Sequence, residues 1–423
     1  MTLTAAEQYL LELINRARLD PAGEAARMGV DLNDGLSAGQ ISTSAKQVLA
    51  PNALLEAAAT GHTQWMLSAD VFSHTGLNGS SPGDRISAQG YAWSTYGENC
   101  AYVGSSGTMT VEGSIEALNR NLFLSAGHRA NMLYESFREV GLGAEAGQFT
   151  SGGRTYNAVM LTEDFGTSGS AHFLTGVAYA DSNANQFYSM GEGTANVTFS
   201  AGGLSTQTAA AGGYALAIDA LGAVNVTGQS GSLAFSVKVD MTPGNVKLDL
   251  VSGTTFYTSG TVWLGQGVNN VLLLGVGALQ ATGNAAANVV TGNAAANFLY
   301  GLGGSDQLLG GAGADRLFGG GGNDSLTGGL GNDALRGYTG SDVFVFTKGS
   351  GLDRIFDFSV AQLDRLQLDD ALWAGQTLTP GAVVAGFATV LSNRVVLDFG
   401  DGDSLQLEGL TGLAGLESLI DIV

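Results

Sequence analysis

The chain has one cysteine, five prolines, four histidines and few basic residues, and each scarcity excludes something. Cys100 alone rules out an internal disulfide framework. Seventeen lysines and arginines against 38 acidic residues leave a net charge of -21. Such a surface repels nucleic acid and anionic membranes, so neither is expected as a partner. No apolar run reaches the 18 or more residues of a membrane span. The first residues, MTLTAAEQYLLELINRARLDP, lack the basic, apolar and small-residue regions of a secretory signal.

What is abundant is glycine, 65 residues in 423, alongside an apolar content of 44%. A disordered glycine-rich linker would be poor in Leu, Val and Phe, so these glycines belong to folded structure. The length exceeds a single core and predicts several domains. Thr4 to Glu7 reads as a capping box opening a helix that stops at Asp20-Pro21. Further helical periodicity covers Leu54 to Leu67 and Glu112 to Leu122, with a strand at Asn157 to Leu161. These segments predict a mixed α/β domain over 1–167. From 168 to 258 short Thr- and Val-rich runs between Gly and Asn turns predict an all-β, Ig-like sandwich.

From 259 to 346 a nine-residue period takes over. Five consecutive units read GLGGSDQLL, GGAGADRLF, GGGGNDSLT, GGLGNDALR and GYTGSDVFV. Glycine fills their first and fourth positions, Leu or Phe the eighth, and Asp306, Asp315, Asp324, Asp333 and Asp342 the sixth. Glycine permits positive φ at tight turns, the apolar residue points inward from a very short strand, and stacked turns gather carboxylates around a hard cation. With each unit supplying half a coil, Asp306, Asp324 and Asp342 line one edge, and Asp315 and Asp333 the other. Upstream, GNAAANVVT and GNAAANFLY keep phase but carry Asn288 and Asn297 for aspartate, and Ala286 and Ala295 for the fourth glycine. Alanine tolerates positive φ poorly, so these units extend the coil and bind calcium weakly or not at all.

This array resembles the RTX family of hemolysin-type calcium-binding repeats. The following SDVFVFTKGSGLDRIFDF and DRLQL look like the segment after such repeats, within a β-rich tail over 347–423. The resemblance implies Ca²⁺ as cofactor and a parallel β-roll ordered by it. It also implies an extracellular location, and type I secretion machinery as a partner that reads an uncleaved C-terminal signal. Low cysteine content suits a chain exported unfolded.

Asp181, Asn183, Asn185, Ser189 and Glu192 take positions 1, 3, 5, 9 and 12 of an EF-hand-type loop, with the Phe187 carbonyl at position 7. Gln186 stands where glycine is expected, and the same residues also fit an Asn-rich hairpin turn. The stretch GVAYADSNANQFYSMGEGTANVTFS with TAAAGGYAL resembles prealbumin-like B-type repeats of bacterial surface proteins, in which such loops bind calcium.

Three of the four histidines, His62, His74 and His128, lie in the first domain with Glu98, in GHTQWM, FSHTG, GHRANML and GENC. Two histidines and a glutamate can hold a divalent metal or act as acid and base. Together with NRAR and the closing EDFG, these motifs resemble the CAP superfamily in its short bacterial SCP-like form. That implies an α-β-α sandwich with His74, Glu98 and His128 in its cleft, and Zn²⁺ as a candidate ion at His74 and His128. Leu122 departs from the family's tryptophan and Cys100 from its usual aliphatic residue. Glu112 and Glu116 are candidates for a second cleft glutamate. His62 reads as a packing or hydrogen-bonding residue, and Cys100 as a small buried hydrophobe.

The functional expectation is a secreted calcium-binding protein displaying a CAP-like head to an unknown extracellular ligand. A metal-assisted or protease-like hydrolase acting through the same cleft is one alternative, and a non-catalytic adhesin or matrix protein is another. No nucleophilic serine motif, HExxH or CxxC accompanies the histidines.

Overall fold

A computed structural model describes residues 3–219 and 221–423. The chain forms two compact units. The first gathers the described residues up to Leu233 with Asp240–Gly253, and the second holds Ala234–Val239 and Thr254–Val423.

The first unit begins with a helical and sheet region. Helix α1 (Ala5–Leu19) opens on the capping box, Glu7 N–H donating to Thr4 Oγ1 at 3.2 Å and Thr4 N–H to Glu7 Oε2 at 2.9 Å. Asp20 ends it and caps α2 (Pro21–Met28), with proline at the first turn where no N–H is needed. Helix α3 (Ala53–Ala69) is capped by Asn52, α4 (Pro82–Ala88) by Ser81, and α5 (Val111–Leu124) by Thr110; α6 (Ala126–Met132) follows directly. Strands β1 (Ala50–Pro51), β2 (Trp93–Ser105), β3 (Glu139–Ser151) and β4 (Arg154–Ser168) form one sheet in the order β1-β3-β4-β2. Alternation along β3 and β4 sends Val140, Leu142, Val159, Leu161 and Phe165 into a core with α1 and α5. On the opposite face Met160 and Cys100 pack against Met66 of α3. Gly141 and Gly143 let α3 lie directly on β3, since a Cβ at either would overlap helix backbone. The result is the expected α-β-α layering.

The same unit continues into short strands. His172–Tyr179 pairs antiparallel with Gly213–Ile218 and parallel with Val246–Val251. Thr198–Ala201 pairs antiparallel with Leu204–Gln207 and Ala223–Ser230. Phe199 stacks on Tyr214 with ring centroids 4.0 Å apart. Lys247 is buried between Asp249 and Glu12 of α1, its Nζ 2.7 Å from Glu12 Oε2, and Asn245 donates to the Val48 and Arg138 carbonyls at 2.9 and 2.7 Å. These bonds fasten the short strands to the helical region.

The second unit differs in texture: nearly all short parallel strands. Phe298–Gly303, Arg316–Gly321 and Ala334–Thr339 stack in one sheet, and Gln307–Ala312, Ser325–Leu330 and Val343–Phe346 in the other. Leu299 pairs with Leu317 and Leu308 with Leu326, a step of 18 residues, so two nonapeptides make one coil. Leu308, Leu317, Leu326, Leu335 and Phe344, the eighth-position residues, are all at most 1% exposed. Each contributes roughly 1.5–3 kcal/mol of apolar burial, less the entropy of ordering it. Val290 and Leu299 fill the same rungs in the asparagine units.

The coil does not end with the repeats. Leu352–Ile355 and Arg365–Leu368 join the two sheets in parallel, followed by Asp403–Glu408 and Ile420–Ile422. An antiparallel hairpin, Ala388–Val390 with Arg394–Gly400, closes one sheet edge.

The glycine reading needs one correction. Positive φ occurs at the second and fourth positions of the repeat, at Gly311 (103°) and Gly313 (116°) for example, and not at the first. Leu302 (79°) and Tyr338 (70°) adopt it at the second position without being glycine. Ala286 and Ala295 show no positive φ, so the asparagine coils turn differently and the expected alanine strain does not arise.

Candidate metal sites

The aspartates form two ladders, with the alternation that half-coil units dictate. On one edge each backbone N–H donates to the Oδ1 of the next rung: Asn288 to Asp306 at 2.8 Å, Asp306 to Asp324 at 2.9 Å, Asp324 to Asp342 at 2.9 Å and Asp342 to Asp364 at 3.1 Å. On the other, Asn297 donates to Asp315 at 2.7 Å, Asp315 to Asp333 at 2.7 Å and Asp333 to Asp353 at 2.9 Å. Asp353 and Asp364 are rungs that the sequence reading missed. They sit 20 and 22 residues beyond their neighbours, off the nine-residue phase. The signal available was an Asp-Arg pair at each of the tail's first two strands, Asp353-Arg354 and Asp364-Arg365.

One oxygen per carboxylate is thereby used, and the other is not. The Oδ2 atoms of Asp306, Asp315, Asp324, Asp333, Asp342 and Asp353 are all buried without a hydrogen-bond partner. First-position glycines make room for them: a Cβ on Gly301, Gly310, Gly319, Gly328 or Gly337 would overlap the facing Oδ2. Burial raises every one of these carboxyls, Asp306 and Asp342 to about 6, Asp315 to about 7 and Asp353 to about 8. Neighbouring aspartates add to the rise at Asp306, Asp315, Asp342 and Asp353. A row of desolvated, unpaired anionic oxygens calls for a cation, and an all-oxygen donor set suits Ca²⁺.

The Asn288 rung solves the same problem without an ion. Asn288 Nδ2 donates to the Asn269 carbonyl at 2.8 Å, and its Oδ1 accepts from Asn284 N–H at 2.7 Å. Ladder ends are also closed by backbone. Asp364 Oδ2 accepts from Ser359 at 2.8 Å, and Asp403 accepts from Gly349 and Gly351 at 2.9 Å each.

The loop from Asp181 to Glu192 folds back on itself. Asp181 accepts from the Asn185 and Gln186 amides at 3.1 Å, Asn183 Oδ1 from Asn185 N–H at 3.0 Å and Asn185 Oδ1 from Phe187 N–H at 2.8 Å. Glu192 takes the Ser182 and Ser189 amides at 3.1 and 2.9 Å. Gln186 adopts φ 60°, the conformation glycine supplies at that loop position. The Phe187 ring lies under Arg16 of α1, 4.9 Å from the guanidinium carbon.

In the head, strand register places Glu98 opposite Asp164, Asn99 opposite Glu163 and Cys100 opposite Thr162. Glu98 is buried and fully engaged: one oxygen lies 2.7 Å from His74 Nδ1 and the other pairs with Arg85. A carboxylate accepting at Nδ1 fixes the proton there, so the exposed His74 ring offers Nε2 outward as a base. Asn131 holds the Glu98 carbonyl at 3.2 Å. His128 caps the group from α6, its carbonyl bonded to Asn99 at 3.2 Å. Burial, and then the nearby His74, lower the His128 pKa. His62 Nε2 donates to the Ser73 carbonyl at 2.8 Å and its ring stacks on Trp65, so the neutral ring turns a partnerless Nδ1 into the interior. Burial lowers its pKa as well.

Ligand atoms of His62, Glu98 and Cys100 come within 4.8 Å of one another. This grouping could hold a metal, alongside the His74–His128 pair of the sequence reading. Burial pushes the Cys100 thiol far above its ordinary value, and Arg85 already neutralises Glu98. An ion there would have to displace both a proton and a guanidinium. Asp164 lies beside Glu98 with both oxygens partnerless, and burial followed by the Glu98 charge raises it well above the carboxylate range. Glu116 accepts from Tyr9 at 2.7 Å on the surface and Glu112 is exposed in the first turn of α5, which leaves neither beside Glu98.

Comparison with known proteins agrees with this division. The cysteine-rich secretory protein (CAP) family matches residues 11–161, and the RTX calcium-binding nonapeptide repeat matches 282–317 and 309–344. The chain thus carries a CAP domain and RTX calcium-binding repeats. Comparison with curated proteins yields no match. Among solved structures it is similar to an extracellular SCP-domain protein of Bacillus anthracis str. Ames, at 24% identity over 29% of this chain and 35% of that one, TM-score 0.23. The chain therefore spans about a third of that protein's length. Schistosoma mansoni venom allergen-like protein 4 matches at 14% identity over 39% of this chain and 92% of its own, TM-score 0.24. The AlgE6R3 subunit of the Azotobacter vinelandii mannuronan C5-epimerase matches at 26% over 33% and 80%, TM-score 0.17.

Proposed function

We propose that this is a secreted protein whose roll orders outside the cell on binding Ca²⁺, and which displays the CAP domain to an extracellular ligand through the His74–Glu98–His128 cleft. The observation that carries the reading is the set of six buried Oδ2 atoms without partners. Extracellular calcium modules have dissociation constants of about 10⁻⁴ to 10⁻³ M. At tenfold that concentration an ion adds roughly 1.4 kcal/mol per site, so several sites rival a domain's net stability of roughly 5–15 kcal/mol. In calcium-poor cytoplasm the roll then stays unfolded and can be threaded by type I machinery. The ligating residues are Asp306, Asp315, Asp324, Asp333 and Asp342, extended by Asp353. The Asp181–Glu192 loop is a further calcium site on a prealbumin-like spacer. Circular dichroism of the full chain during calcium titration tests this: parallel β-signal should appear with calcium and vanish with chelator, and an unchanged spectrum in chelator overturns it.

A second reading rests on the His74–Glu98 pair. A buried carboxylate orienting an exposed imidazole is the arrangement of a general base, so the cleft can support hydrolysis as well as binding. Zn²⁺ in the cleft would belong to this reading. Turnover of peptide or ester substrates that is lost in His74→Ala and His128→Ala would establish it, and absence of turnover in the parent protein leaves the binding role.

A further inference from the structure

The two outer faces of the roll are unlike, and the repeat does not require them to be. Residues flanking each inward leucine point outward in two columns. On one sheet the successive rows are Phe298 and Tyr300, Arg316 and Phe318, Ala334 and Arg336, then Arg354 and Phe356, in parallel register. On the other sheet the same places hold Gln307 and Leu309, Ser325 and Thr327, Val343 and Val345, then Arg365 and Gln367, with no ring and one guanidinium, which Asp421 neutralises. Aromatic rings interleaved with unpaired guanidiniums thus occupy one face only.

Their contacts form a continuous strip. Tyr300 and Phe318 stack with centroids 4.7 Å apart at 11°, and a groove of about 410 Å³ runs along them to Tyr338. The Arg316 guanidinium lies 5.1 Å over Phe298 and that of Arg336 5.1 Å over Phe356. Arg354 is committed to Glu408, its Nη2 2.6 Å away. Arg316 and Arg336 are exposed and make no ion pair among the described residues, in a chain with net charge -21. Two unpaired guanidiniums amid so many carboxylates are placed for an anion that comes from outside.

We propose that this face binds a carboxylate-bearing polysaccharide, a polyuronate, laid along the stacked strands. Rows about 4.8 Å apart match the length of one pyranose unit. Apolar C–H faces of the sugars would cover the aromatic strip, while Arg316 and Arg336 fork carboxylates in bidentate pairs. Nucleic acid fits less well, since two guanidiniums cannot offset its dense phosphate charge against so acidic a protein. This surface is separate from the cleft and from the aspartate ladders.

The test is calorimetry of the full chain at one fixed free calcium concentration, using a short oligouronate, a neutral glucan of equal length and a single-stranded oligodeoxynucleotide. The oligouronate alone should bind. Affinity should fall about tenfold for each of Arg316→Gln and Arg336→Gln, the loss of one charge-assisted pair. Calcium-induced circular dichroism should stay unchanged in these variants. Should the double variant lose that signal, Arg336→Gln alone carries the test. No oligouronate binding, equal binding of glucan or oligonucleotide, equal affinity in the arginine variants, or a calcium-dependent dimer occupying the face in sedimentation would each overturn the proposal.

Discussion

The head and the roll both bury carboxylates, but they neutralise them by opposite means. In the first unit Glu24 is paired with Arg16 and Arg27, Glu98 with Arg85, and Glu12 and Asp249 with Lys247. Where no cation is bonded, as at Glu163 and Asp164, burial raises the pKa and a proton takes its place, at about 7 for Glu163. The roll buries six aspartate oxygens and supplies no protein cation to any of them. One region carries its counter-ions in its sequence, and the other must obtain them from solution. A buried anion left alone costs several kcal/mol, so this difference decides which half depends on its surroundings.

Calcium removal should break the comparison most sharply. In chelator the roll should lose its β-signal while a separate thermal transition of the head persists. A single joint transition would show that the halves do not differ in this way. Next in size is Arg85→Gln, which strips the internal cation from buried Glu98. It should cost the head about 3–5 kcal/mol, seen as a lowered first melting transition, with the roll's calcium midpoint unmoved. Asp315→Ala with Asp324→Ala removes one rung from each ladder and should abolish calcium-induced ordering. Converting the self-sealed rung, Asn288→Asp, should turn a calcium-indifferent coil into a dependent one. In chelator it loses roughly 1–3 kcal/mol, and calcium restores part of this.

The last effect is that of pH. Asp306, Asp315, Asp342 and Asp353 stand at about 6 to 8 when folded and metal-free, above the ordinary value near 3.9, and Asp324 and Asp333 are raised as well. A raised acid binds more protons folded than unfolded, so calcium-free stability should fall as pH rises through this window. Calcium affinity should move the other way, weakening as pH drops below about 6. Melting curves at pH 5 and pH 8 in metal-free buffer would show the sign.

Much of this was legible in the sequence because the repeat is local and periodic. The phase of Asp306 to Asp342 alone dictates two ladders, and the eighth-position leucines are the inward rungs. The capping box at Thr4 and the glycine-rich motifs around His74, Glu98 and His128 were equally visible. What escaped depends on register between distant segments. Asp353 and Asp364 fall out of phase because the loops before them are longer. Asp164 meets Glu98 only through the pairing of β2 with β4, and Arg85 reaches Glu98 from a helix thirteen residues earlier. The first-position glycine was visible, but its cause was not: it is the proximity of a carboxylate oxygen, not a turn.

The step of 18 residues has a further consequence. Since two nonapeptides close one circuit, the array obeys a parity rule. Excising a single unit such as 310–318 would exchange left and right for everything downstream, setting Arg336 on the bland side and joining each aspartate column to the wrong continuation. Excising two, 310–327, would merely shorten the stack by one layer. Lengthening or trimming of such a solenoid can therefore proceed smoothly only in even numbers, with its two sides inherited as fixed identities.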